Sequence, residues 1–573
     1  MRVRHQVSPA YFSTALPPPL PISSASSILI DSHLEGLLRT EGHESSNGAC
    51  LWTSEKSTGR CQSCMFFVQH PAATTDRCDV DQIISIDMLP DEVLLAIFDF
   101  YLDPDLFTKE QIEAWRSLVQ VCRRWRSVVF ASPCRLDLRL FCRPGTPRDI
   151  LDVWPAIPFL IWDDDGLRQD SDNFITLLKQ SDRVCQIHVI DITSSHVLEN
   201  LLEAMQKPLP RLTNLTLWSH RTMPDIPDSF LGGSAPHLRY LSLKRIPFPG
   251  LLKLLLSATN LVCLDLSGTP PSGYISPEAM VTALTTLTKL QFLYLRFQSS
   301  QPYPDRASKR PHSPTRSVLP VITELKFKGI SEYLEDFVAQ IDAPQLSTLY
   351  IRFFNQIKFG APKLVQFVCR TPKLKELERA RVSFVDGVTT VNLSSQTSGY
   401  RTLNVGFLFR EYSRPLSLGQ VFTSSLPPLS TLEDLYIHEY TILRLCSRGS
   451  RNLEIIRWPE LLHPFAAVKN LYISKRVAQR VAPALVDSRT TVVLPSLENI
   501  FLEGLESSEP VQEGIRQLVA ARQVTSHPIA VTCWERDEED SDDGGCDFYD
   551  REDDEEEDED YIYNGQDDDD WYG

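Results

Sequence analysis

A short phrase recurs through most of this chain, apolar at its first, fourth and sixth positions. It reads LTNLTLWSH from Leu212, LRYLSLKRI from Leu238, LVCLDLSGT from Leu261, LQFLYLRFQ from Leu290, ITELKFKGI from Ile322 and LSTLYIRFF from Leu346. It returns as LEDLYIHEY from Leu432, VKNLYISKR from Val468 and LENIFLEGL from Leu497, with weaker copies from Val184, Leu374 and Tyr400; the Leu374 copy carries Arg379 at position six. With 42% apolar residues, three fixed positions fill by chance in roughly one window of 14, so a single match means little. The spacing carries the weight: the twelve starts lie 23 to 36 residues apart. A unit that short has too few side chains to bury its own apolar side, so each must stack on its neighbours.

The intervals between phrases carry helical patterns. SSHVLENLLEAMQK follows the Val184 unit, PGLLKLLLSATN the Leu238 unit and SPEAMVTALTTLTK the Leu261 unit; EYLEDFVAQI and APKLVQFVCRTPK continue the series. A strand followed by a helix at this period resembles the leucine-rich repeat. The resemblance implies an α/β solenoid over residues 146–533, with parallel strands lining the inside of a curved array and helices outside. The match is irregular: the Asn or Cys of the family's ninth position is replaced by His220, Ile246, Thr269, Gln298 or Phe354. A doubly wound nucleotide-binding enzyme would need a glycine-rich phosphate turn, and neither GxGxxG nor GxxxxGK[ST] occurs. Residues 298–318, QSSQPYPDRASKRPHSPTRSV, are rich in proline, serine and basic residues and read as an exposed insertion, with Ser313-Pro314 a possible modification or docking point.

Ahead of the repeats, residues 81–145 read as compact helices. In MLPDEVLLAIFDFYLDPD, residues 88–105, Leu94, Ile97, Phe98 and Tyr101 fall on one helical face, yet Val93, Leu95 and Phe100 add apolar groups elsewhere on the cylinder. In EAWRSLVQVCRRWRSVVFASPCRLDLRL, Trp115, Leu118, Cys122, Trp125 and Val129 predict one long amphipathic helix ending at Pro133. Val121 and Val128 form a second apolar row, and Arg123, Arg124 and Arg126 take the wetter side. Two helices with this much apolar surface have more than a small hairpin can hide, which points either to the following domain or to another protein.

The pair of segments resembles the F-box motif over residues 89–133, through Leu89-Pro90, Ile97-Phe98 and Val121-Cys122-Arg123-Arg124-Trp125. The chain departs from the motif in a longer connection, LFTKEQIEAW, between the two segments. The resemblance implies docking on a Skp-type adaptor, which bridges to a cullin-RING ubiquitin ligase. Carried onto this chain, the contacting residues are Leu89, Pro90, Val93, Leu94, Ile97, Phe98, Val121 and Trp125.

Charge is distributed unevenly. The net −18 is an average: residues 535–573 hold 22 acidic residues and two arginines, while residues 1–534 hold 55 basic against 53 acidic. A uniformly basic nucleic-acid surface is therefore not indicated. The acid-rich end, punctuated by Tyr561, Tyr563, Trp571 and Tyr572, reads as a disordered solvating tail from residue 534, able to engage a basic protein or a basic patch on its own chain. Residues 1–80 read as mostly disordered, rich in Ser, Pro and Gly. Their Cys50, Cys61, Cys64 and Cys78, with His43 and His70, include one CxxC but lack the second pair of a structural zinc site. Thirteen thinly spread cysteines, no uninterrupted apolar signal core and no run near the length of a membrane span suit a soluble chain of a reducing compartment, cytoplasmic or nuclear. Arg2 and Arg4 suggest an organelle presequence only weakly, because the prolines break its helix.

Catalytic motifs are absent. GxSxG and HExxH do not occur, the 12 histidines are scattered, and His188 alternates with apolar residues as a strand residue does. No EF-hand loop or RING ligand set is present, so neither metal nor cofactor is expected. The expectation is a non-catalytic substrate receptor of a ubiquitin ligase. Lys244, Asp265, Arg296, Lys326 and Arg352 on the strand face would help choose its client. The alternative is an interaction scaffold or histone-binding chaperone that uses the acidic tail.

Overall fold

The computed structural model describes residues 86–534 apart from internal stretches, chiefly 103–112, 147–156, 164–170, 220–223, 299–315, 355–360, 396–401, 409–428, 441–457, 487–492 and 504–508. The chain divides into two compact units, Met1–Ile83 and Ile84–Gly573, of which the second holds every described residue. The cysteine and histidine group of the first 80 residues, Ser313 and the acid-rich segment from Glu535 lie outside the described residues.

Strands recur where the phrase recurs. In chain order they are β1 (Leu140–Cys142), β2 (Phe159–Asp163), β3 (Val184–Val189), β4 (Asn214–Trp218), β5 (Tyr240–Lys244), β6 (Cys263–Thr269), β7 (Phe292–Phe297), β8 (Ser317–Val318), β9 (Glu324–Gly329) and β10 (Ile341–Asp342). They continue with β11 (Thr348–Phe353), β12 (Arg379–Val385), β13 (Val388–Ser394), β14 (Thr402–Leu408), β15 (Asp434–Tyr440), β16 (Asn470–Ile473), β17 (Asn499–Glu503) and β18 (Ala530–Trp534). Among the described residues, sixteen of them form one sheet and β8 and β10 pair with each other, so the expected insertion 298–318 ends inside a short strand. Strands β1 and β2, ahead of the first phrase, and β18, after the last, extend the sheet beyond the units visible as repeats.

The phrase explains the register. Its fourth-position residues stand side by side across six strands: Leu215 beside Leu241, then Leu264, Leu293, Leu325 and Leu349. The sixth-position residues Leu217, Leu243, Leu266, Leu295, Phe327 and Ile351 form the next row on the same face, and all twelve are buried. Slipping any strand by one residue would expose its whole apolar set, so the register is strongly specified. Fifth-position residues point the other way and make the opposite face of the sheet.

Helices cover the apolar rows. Ser171–Leu178, Ser195–Ala204, Leu251–Ser257, Pro277–Leu284, Ser331–Ala339 and Pro362–Arg370 follow strands in the first half; Trp458–Leu462, Lys475–Val486 and Glu509–Val524 follow in the second. The expected helical intervals are therefore occupied. Pro277–Leu284 shows why: Ser276 accepts a hydrogen bond from the Ala279 N–H as N-cap, and Pro277 takes the first turn, where its missing donor costs nothing. Where the family's ninth-position Asn would bond the turn, backbone groups of the next unit do so. The Ser219 N–H donates to the Lys244 carbonyl, Arg245 to Ser267 and Gln298 to Thr269.

The expected parallel order breaks once. Strand β13 runs antiparallel between β14 and β12, so the sheet reads β11-β14-β13-β12-β15 and the Tyr400 unit, not the Leu374 unit, stacks on β11. A second irregularity sits in β6, where the register shifts between Leu266 and Thr269 and Gly268 adopts a φ of +61°. A Cβ there would lie 2.7 Å from Cγ of Arg245, so the bulge requires glycine. One buried apolar cluster runs from Leu94 through to Ile529 and joins the helical segment to the sheet.

Candidate functional site

Among the described residues, three α-helices precede the sheet: α1 (Asp91–Tyr101), α2 (Trp115–Val121) and α3 (Arg123–Ala131). Pro90 opens α1 in an extended conformation, and Asp91 and Glu92 in its first turn suit the positive end of the helix dipole. The single long helix expected over Trp115–Val129 is two. Cys122 is fully extended (φ −154°, ψ 171°), and its sulfur accepts the Trp125 N–H at 3.4 Å, capping α3. The apolar spacing continues across the break because both helices pack on the same core. Trp115 donates Nε1–H to the Arg139 carbonyl at 2.8 Å, tying α2 to the entrance of β1.

Helix α1 carries two apolar faces. Leu94, Leu95 and Phe98 are buried, with the Phe98 ring 4.8 Å from Trp125 of α3. Arg124 fastens the same contact by donating to Asp91 Oδ1 at 2.7 Å and to the Leu89 carbonyl. The other face is bare. Val93 is 41%, Ile97 43%, Phe100 92% and Tyr101 55% exposed, at spacings of four, three and one that keep them on one side of the helix. Val121 at the end of α2 is 49% exposed. The buried face is thus turned toward Leu95, which divides the expected stripe: Leu94 and Phe98 go inside, Ile97 and Tyr101 outside. Among the residues expected to meet an adaptor, Leu94 and Phe98 are therefore core residues that hold α1 to α3, with no surface to offer. Pro90, Val93, Ile97 and Val121 are exposed, and Leu89 and Trp125 are half-buried.

The five charged residues expected to choose a client do share the non-core sheet face, in two adjacent rows across β5, β6, β7, β9 and β11. They differ in availability. Lys244 lies over Trp218 at 4.9 Å, and Lys326 lies over Tyr294 at 4.6 Å while pairing with Glu324 at 2.8 Å. Asp265 is nearly buried, accepting from Ser242 at 3.2 Å and from Ser267, with Arg296 at 3.7 Å. Arg296 also donates to Ser267 at 2.7 Å, and Arg352 is nearly buried. Asp265 and Arg352 are thus inward-held groups rather than free contact points. Sequence reasoning missed the aromatic ladder on the same face. Tyr436 stacks on Tyr472 at 4.2 Å, and Tyr472 on Phe501 at 4.4 Å; Trp534 meets Tyr472 edge-on, and Arg379 and Arg381 lie over Tyr436. Its signal was the aromatic at position five of three successive phrases.

No metal-ligating cluster occurs among the described residues, and none of their helices is long and apolar enough to cross a membrane. Burial pushes the Cys142 and Cys263 thiols up to about 12 and Cys185 up to about 11, so these cysteines sit as packing groups rather than nucleophiles.

Residues 86–142 match the F-box-like family model, a span that takes in α1, α2, α3 and β1. Among solved structures, the leucine-rich repeat-containing protein LegL7 from Legionella pneumophila is similar at 14% identity, covering 62% of this chain and 95% of that one with a TM-score of 0.24. No curated protein matches the chain.

Proposed function

We propose that this chain, with an F-box-like helical segment ahead of a leucine-rich-repeat-like array, is the substrate-recognition subunit of a Skp–cullin type ubiquitin ligase. The observation that carries the reading is the bare apolar face of α1, Val93, Ile97, Phe100 and Tyr101, inside the segment that matches the F-box-like model. Large exposed aliphatic and aromatic groups on one helix side mark a partner surface, and the partner that F-box-like segments imply is the Skp-type adaptor. The mechanism is tethering. The helices hold the adaptor and, through it, the cullin; the strand face holds a client, whose lysines then sit at high effective concentration near the ubiquitin-loaded enzyme. The chain itself supplies no catalytic group in this reading.

Capture of purified Skp-type adaptor by the full chain tests it. Wild type is expected to bind at micromolar concentration or tighter, and Ile97→Asp to lose capture with its circular dichroism unchanged. Absence of binding at tens of micromolar, or capture indifferent to Ile97→Asp, overturns the reading. The 22 acidic residues of 535–573 favour a second reading, a scaffold or chaperone for basic proteins such as histones. That reading predicts histone binding that disappears when 535–573 are deleted.

A further inference from the structure

The proposed adaptor contact makes no use of the acid-rich end of the chain, and the sheet offers that end a counterpart. A cleft of about 500 Å³ opens at the rim where β4, β5, β6 and β7 begin, lined by Arg211, Thr213, His237, Arg239, Asn260 and Lys289. The repeat places them there: Arg211, His237, Asn260 and Lys289 each precede the first apolar residue of successive phrases, and Thr213 and Arg239 each follow it. Three permanent cations and a histidine converge with no carboxylate in the lining, and among the described residues neither Arg211 nor Arg239 has an ion-pair partner. Lys289 is held in place by donating to Asn260 Oδ1 at 2.7 Å, and Asn260 donates to the Pro236 carbonyl at 2.8 Å. Farther along the same rim the residues at the position of Thr213 and Arg239 are Glu433, Lys469 and Glu498, where Lys469 is neutralised by Glu433 at 2.7 Å.

We infer that this cleft is the docking site of the chain's own acidic segment, residues 535–573. The cations are exposed and the cleft shallow, which suits an extended polyanion touching many charges at once rather than a compact anion, whose tight binding needs buried donors. Reach is sufficient. Eleven strand spacings separate β5 from β18, about 53 Å along the sheet at ~4.8 Å per strand. The 39 residues after Trp534 span up to about 130 Å when extended. Tethering at this length supplies an effective concentration near the millimolar range, so weak contacts suffice to fill the cleft and an untethered acidic peptide competes poorly. The segment thereby acts as a built-in occupant of the rim, displaced by salt or by a more strongly acidic partner.

Zero-length carbodiimide cross-linking of the full chain tests this, since Lys289 is the amine in the cleft. The expected result is a set of linkages from Lys289 to carboxylates of 535–573 within single chains. They fall at least tenfold in 0.5 M NaCl and in Arg211→Glu with Arg239→Glu, whose circular dichroism is unchanged. Mixing chains of light and heavy nitrogen distinguishes the source of the acid. Linkages that join light to heavy peptides in the half share that random pairing between chains gives in an equal mixture overturn the inference in favour of a second copy's tail. Linkages from 535–573 that reach other lysines but not Lys289, or that ignore the two substitutions, overturn it in favour of a free tail.

Discussion

Ile97 and Leu94 stand three positions apart on α1 and have opposite fates. Leu94 is fully buried against α3, so Leu94→Ala should cost about 2–5 kcal/mol of stability, read by urea unfolding. Ile97 contributes little to that core. Ile97→Asp should leave the unfolding midpoint almost unchanged while weakening adaptor capture by ~30-fold or more, the loss typical of an interface anchor. A pair of measurements on the two variants therefore separates folding from docking. Among the cysteines, burial keeps Cys142 and Cys263 protonated until about pH 12, whereas Cys369 and Cys533 are exposed. Iodoacetamide at pH 8.5 should label Cys369 and Cys533 and spare Cys142 and Cys263 until the fold is lost. The apolar surplus on α1 was legible in the sequence; its division into inside and outside was not. Helical spacing alone grouped Leu94 with Ile97, and only the packing of Leu94, Leu95 and Phe98 into the core separated them.

Between elements, units are joined by more than their shared strands. Glu335 on Ser331–Ala339 accepts the backbone N–H groups of Lys363 and Leu364 at 2.9 and 2.7 Å, capping the first turn of the next helix, Pro362–Arg370. At the other end, Arg370 of that helix donates to the Val338 carbonyl of Ser331–Ala339 and to the Ile341 carbonyl just beyond it in β10. Each helix thus satisfies orphan backbone groups of its neighbour. Glu335→Ala should cost about 1–2 kcal/mol, measurable as a lower urea midpoint with an unchanged slope. The positions of these helices followed from their apolar period, but the break at Cys122 did not. The apolar spacing in the sequence runs through it unbroken, and that spacing carries no mark of the single extended residue.

Across the whole array, stability is a sum of neighbour contacts, and continuity of the sheet passes through β13 alone where β14 meets β12. Val391 on β13 is fully buried between Val382 and Val405. Val391→Asp should therefore cost about 3 kcal/mol or more and resolve urea unfolding into two transitions, one for each side of the junction. A single cooperative loss in that variant would show that the helices, not the sheet, couple the halves. The phrase and its spacing determined that strands form, which of their side chains face inward, and that helices fill the intervals, because periodicity is a property of a few adjacent residues. Which strand neighbours which and which side of α1 stays bare are relations between residues tens of positions apart. No local pattern encodes them, and they were decided by the packing of whole units against one another.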